Sequence, residues 1–204
     1  SRVPAAWLEG SGCDVLIVRI ETATAESYAI NWASLDSSTS TEALDRAASW
    51  VEHYRALGIR EIVSGAVVMR RRSGPNWVAA EEMTSIGWGA GEQVARIFRG
   101  RDLLEQLCDE RSIRGCVLSL GPGARLVQRW LPGRRLERAR VTLPGGLGLD
   151  GAIEPPALAD LLQALDGRRT LQEVATAADI APGALDDGVE SILALIGRGY
   201  LLAH

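Results

Sequence analysis

The chain has 204 residues, 47% hydrophobic and 24% charged, enough to bury a core as one domain of ordinary size or two small ones. No apolar run approaches the roughly 18 residues of a membrane span, and the first ten residues hold no signal-peptide core, so a cytoplasmic chain without a membrane segment is expected. The net charge of −4 is unevenly spread: residues 95–140 carry 11 Arg against 5 acids, whereas residues 141–204 carry 3 Arg against 9.

In chain order, Asp14-Val-Leu-Ile-Val-Arg-Ile-Glu21 is a continuous β-branched run, the pattern of a strand covered on both faces. Thr24 is placed to cap a helix in which Tyr28, Trp32 and Leu35 share one face, and that face is expected to lie on the sheet. Thr39-x-x-Glu42 has the form of a capping box opening a second helix, striped by Leu44, Ala47, Val51, Tyr54 and Leu57. Gly58-Ile-Arg-Glu-Ile-Val-Ser-Gly-Ala-Val-Val-Met-Arg-Arg-Arg72 then predicts a buried strand that ends in three arginines. Two such strands cannot make a sheet buried on both faces. Their neighbours must come from elsewhere in the chain, from a partner or from a longer parent protein, and the last is preferred.

Ser73-Gly-Pro-Asn76 reads as a turn and as the boundary between a first domain, residues 1–74, and an α+β accessory domain, residues 75–204. The second part is expected to open with a short strand from Trp77 to Glu82, the glycine-rich Ile86–Gly91 and a helix from about Glu92 to Leu107. A β-meander over residues 113–150 follows, with alternating runs at Cys116–Leu120, Arg125–Leu131 and Leu136–Leu143 whose outward faces carry arginines. Residues 155–204 read as three helices and a strand of winged-helix-like layout. The marks are the stripe Leu158, Leu161, Leu162 and Leu165, a capping box at Thr170-x-x-Glu173, Pro182 in a last first turn, and a closing Tyr200-Leu-Leu strand.

Val117-Leu-Ser-Leu-Gly-Pro-Gly123 enters a glycine turn as a dinucleotide loop does, but the alternating Ala124–Trp130 that follows is a strand pattern, so a hairpin turn is expected. Gly87-Trp-Gly-Ala-Gly91 does precede a helix and is a weak anion or loop site. Arg70, Arg71, Arg72, Arg134, Arg135, Arg138 and Arg140 are the candidates for contact with substrate or nucleic-acid phosphate; the alternative is a solvated face pairing with the acidic C-terminal helices. Asp186, Asp187 and Glu190 on the last helix would repel phosphate, which favours packing or protein contact there. Cys13, Cys108 and Cys116 lack the tight four-ligand spacing of structural zinc. No nucleophile–base pair or carboxylate pair stands out, so no catalytic, cofactor-binding or metal residue is assigned.

The run Asp14–Glu21, the Tyr28/Trp32 helix, the Trp50/Tyr54 helix and the Gly58–Arg71 run together resemble the closing part of a class I S-adenosylmethionine-dependent methyltransferase. The likeness is to the small methyltransferase group related to enzymes that modify release-factor glutamine or RNA bases, and it covers residues 7 to 72. It implies an incomplete Rossmann-like sheet ending in two antiparallel strands, with S-adenosylmethionine held by the parent enzyme. The glycine-rich cofactor loop and the Asn-Pro-Pro-Tyr type motif have no counterpart here, so no catalytic residue transfers and this chain alone is expected to bind no cofactor. The implied partners are the N-terminal catalytic part of the parent, an RNA or protein substrate and, through unpaired strands, a second copy. The alternative is a stand-alone interaction module that binds a peptide or protein through its winged-helix-like end.

Overall fold

A computed structural model describes residues 10–35, 37–107, 110–133 and 135–204. The chain is mixed α/β, with several small sheets, and divides into two units, Ser1–Met83 and Thr84–His204. Among the described residues no helix is long and apolar enough to cross a membrane.

The first unit is organised on β1 (Cys13–Thr24), whose Asp14 to Val18 are buried. It is followed by the helices α1 (Ala25–Leu35) and α2 (Ser40–Ala56), then by β2 (Glu61–Arg71) and β3 (Val78–Glu82). β1 is the centre of a three-stranded sheet of order β2-β1-β3, antiparallel to β2 and parallel to β3. The β1–β2 register runs from Cys13↔Arg71 to Thr24↔Glu61 and shifts between Arg19 and Glu21. Gly65 lies at that irregularity, where a β-carbon would overlap the Val18 carbonyl oxygen, so only glycine lets the strands meet.

Three expectations change here. The face of α1 that packs inward is Ala25, Ala29 and Ala33, not Tyr28, Trp32 and Leu35; Trp32 is 51% and Leu35 77% exposed. Alanines let α1 approach α2 closely, and Ala29, Ala33 and Ala47 form a core with Trp50, Val51 and Tyr54. Second, Thr39 accepts from the Glu42 amide, but the Glu42 carboxylate turns to the Ser38 amide and hydroxyl instead of closing a capping box. Third, Ser73–Asn76 is the crossover from β2 to β3 and not a junction between units. β3 pairs with β1, so the first unit runs on to Met83 where a domain ending at residue 74 was expected.

The second unit is built on α3 (Ala90–Gln106), a 3-10 turn at Glu110–Gly115 and two small sheets. β4 (Leu118–Leu120) pairs antiparallel with the last strand, β8 (Leu201–Ala203). The other sheet is the antiparallel meander β5 (Arg125–Leu131), β6 (Arg135–Thr142) and β7 (Ala152–Ile153). Gly121–Gly123 is therefore not a hairpin: β4 leaves it for β8, and β5 pairs with β6. The meander occupies residues 125–153 in place of 113–150.

The helices α4 (Leu158–Ala164), α5 (Leu171–Ala177) and α6 (Pro182–Gly197) supply the core. Leu158, Leu161, Leu162, Leu171, Leu185 and Ile192 are at most 1% exposed. The box at Thr170 is complete, because its hydroxyl accepts from the Glu173 amide while the Glu173 carboxylate accepts from the Thr170 amide. The strand after α6 pairs with β4, so these helices lack the paired hairpin of a wing.

Candidate functional site

The Arg70–Arg72 cluster is divided by strand alternation. Asp14 is completely buried at the start of β1. Its carboxylate accepts from Arg70 Nε at 3.1 Å and Nη2 at 2.6 Å, and Arg72 Nε lies 3.1 Å away. The Asn76 amide and the Trp77 backbone N–H, both at 3.4 Å, complete the set. Burial pushes the carboxyl up, but the donors and the two guanidinium charges outweigh it and hold Asp14 below its usual value. Arg70 and Arg72 thus clamp the β2–β3 crossover to β1. Arg71 alone of the three points to the exposed side.

Neither glycine-rich segment forms a cofactor cradle. The Gly87 N–H donates to the Gly146 carbonyl and the Gly89 N–H to the Gly145 carbonyl, while Ile86 bridges Leu147. A β-carbon at Gly87 would overlap the Gly145 backbone, so the two glycine segments clasp each other. From α3, the buried Gln93 accepts from the Leu147 N–H at 2.6 Å and donates to the Arg198 carbonyl at 3.0 Å. Gly121 is buried, with its N–H on the Tyr200 carbonyl at 2.8 Å, and Arg96 donates to the Pro122 carbonyl at 3.2 Å. The backbone groups of these two segments serve the fold.

The arginines that the structure does bring together lie on the meander. Its cross-strand pairs Arg125↔Thr142, Val127↔Arg140 and Arg129↔Arg138 share one face, since side chains alternate with period two along each strand. Arg125, Val127, Arg129, Arg138 and Arg140 on that face are all exposed, whereas Ala139 and Val141 on the other are buried. Arg129 pairs with Glu137 at 2.9 Å, reached through a register shift. Among the described residues, Arg125, Arg138 and Arg140 form no ion pair.

Among the described residues no ion pair joins this face to the acids of the C-terminal region, where Asp186 pairs with Arg114 and Asp166 with Arg169. Arg134 and the side chain of Arg135 lie outside the described residues. Arg125 and Arg129 were missed as candidates, although the alternation of Arg125-Leu-Val-Gln-Arg129 already aligns them. A Ser119 hydroxyl to His204 Nε2 contact of 2.8 Å between β4 and the chain end was equally illegible at a separation of 85 residues. Among the described residues no carboxylate orients that histidine, so the pair falls short of a nucleophile–base–acid set.

Compared with known proteins, the chain matches no family model and no curated protein at significance.

Proposed function

We propose that this chain is the C-terminal part of an S-adenosylmethionine-dependent methyltransferase, in which the first unit completes the catalytic sheet and the second holds a macromolecular substrate. The observation that carries this reading is the outer edge of β2. Among the described residues its only ladder partner is β1, although it is eleven residues long and uncharged from Ile62 to Met69. Val63, Val67 and Met69 on it are 44 to 50% exposed. Sheet edges in finished folds are short, charged or covered. β3, the opposite edge, is five residues long and ends in Glu81-Glu82, whereas β2 carries charge only at its two ends, Glu61 and Arg70-Arg71, with eight uncharged residues between them. An antiparallel pair at the end of a Rossmann-like sheet has such a geometry, with the catalytic strands supplied on the open side of β2.

S-adenosylmethionine is then held by that other part, consistent with the occupied glycine segments here. The test is a longer protein that includes the residues encoded upstream of Ser1. Titration calorimetry should give stoichiometric S-adenosylmethionine binding to the longer protein and none to this chain, and the amides of β2 should gain exchange protection only in the longer protein. Tight binding to this chain alone, or an upstream sequence without a glycine-rich cofactor loop, overturns the reading.

A further inference from the structure

We infer that the outer face of the β5–β6 ladder is a binding surface for the phosphodiester backbone of a nucleic-acid strand, with Arg125, Arg129, Arg138 and Arg140 as its contacts. This deepens the reading of the second unit as the substrate-holding part and rests on it. Binding by this face, however, requires neither cofactor nor the strands that would complete the first unit, so the two fail separately.

Arg129 stands directly opposite Arg138, and Arg140 opposite Val127, with Arg125 two residues further along β5. Opposed residues on one face have β-carbons about 4.5–5.5 Å apart, and residues two apart along a strand lie about 6.6–6.8 Å apart. Four guanidinium groups therefore rise from a patch only two strands wide. Like charges directly opposed destabilise a sheet. One glutamate, Glu137, answers one of them, and among the described residues Arg125, Arg138 and Arg140 are exposed without an ion pair in a chain whose acids outnumber its bases. A bound polyanion removes the repulsion.

The composition of the face selects the occupant. Protein–protein interfaces concentrate aromatic and apolar anchors at the centre and deplete charge there. This face has arginine at its centre, and its apolar side chains, Val127 between the arginines, Ala152 beside Arg140 and Leu131 at the end of β5, include no aromatic anchor. Nucleic-acid interfaces are polar, strongly positive and fork-bonded to phosphate, and guanidinium presents the planar donor pair that a phosphate accepts. A sheet face studded with arginine offers phosphate contacts and little base readout, so binding is expected to be sequence-tolerant.

The experiment is fluorescence anisotropy of the whole chain with labelled single-stranded RNA and DNA oligonucleotides of one sequence, titrated over a range of salt. Because Glu137 already answers Arg129, counterion release comes from Arg125, Arg138 and Arg140, and at a slope of about 0.7 per phosphate for single strands log affinity falls with log salt by about 2. The double substitution Arg138→Glu with Arg140→Glu should weaken binding by about tenfold or more. The milder Arg138→Gln with Arg140→Gln should reduce the slope to about 0.7 while the thermal midpoint holds. Arg168→Glu, a single charge reversal on an exposed side chain outside the meander strands, should leave affinity within about twofold. Equal affinity for both strands assigns the phosphate backbone alone, and preference for RNA adds the 2′-hydroxyl. No binding at low salt, a flat salt response, equal loss in the Arg168→Glu control, or equal competition by polyglutamate overturns the proposal.

Discussion

Asp14 shows how a single side chain decides what a conspicuous motif does. The three arginines at the end of β2 stand out in the sequence, but their partner lies 56 residues upstream at Arg70 and 58 at Arg72, beyond any local spacing rule. Leaving two guanidinium groups without their buried carboxylate costs the fold, and Asp14→Ala is expected to destabilise the first unit by about 3 kcal/mol. Because the folded-state value of Asp14 lies below its ordinary 3.8, its stabilisation is fully present above that value and is lost as pH falls through the folded one. Urea melts across the acid range should therefore show a steeper loss for the wild type than for Asp14→Asn, and parallel profiles would refute the linkage. Asp166, exposed in its turn, accepts from the Arg169 backbone and side chain and from the Arg168 N–H, which lowers it to about 2. A carboxyl titration followed by NMR should find that midpoint well below those of unpartnered aspartates.

Among the elements, those with a strong local period were legible. The helices α4 to α6, the strands β5 and β6 and the caps at Thr24, Thr39 and Thr170 follow from apolar stripes and polar starts, with bounds shifted by a residue or two. What failed was pairing, because partners are not written locally: β4 looked like the first strand of a hairpin and instead closes on β8. The glycine segments failed for the same reason, since a loop that needs glycine for close approach looks in sequence like a loop that needs it for a ligand. Two readings of Gly87-Trp-Gly89 are separable by substitution. If it clasps Gly145-Gly146, Gly87→Ala forces the two backbones apart and should lower stability by about 1–3 kcal/mol, while Trp88→Ala, with its ring fully in water, should change it by under about 0.5 kcal/mol. Chemical denaturation of both variants makes the comparison, and equal effects would remove the clasp.

For the whole molecule, exposed apolar surface is the quantity that separates the two units. Of the fifteen large apolar side chains exposed among the described residues, eleven lie in the first unit, although it is the smaller. The second unit buries its leucine-rich helices and leaves out only Ile86, Trp88, Val127 and Trp130. The sequence carried this contrast in part: two near-continuous apolar strands demanded neighbours, and β3 satisfies one side of β1 while β2 stays open. An uncovered edge of this length should accept another copy of itself. Sedimentation equilibrium of the isolated chain should show concentration-dependent association. Val67→Lys, which sets a charge in the middle of the edge at a half-exposed position, should abolish it with a change in stability of under about 0.5 kcal/mol. A chain that stays monomeric at every concentration would mean that the edge of β2 is not a strand acceptor, and would weaken with it the reading of this unit as the closing part of a larger sheet.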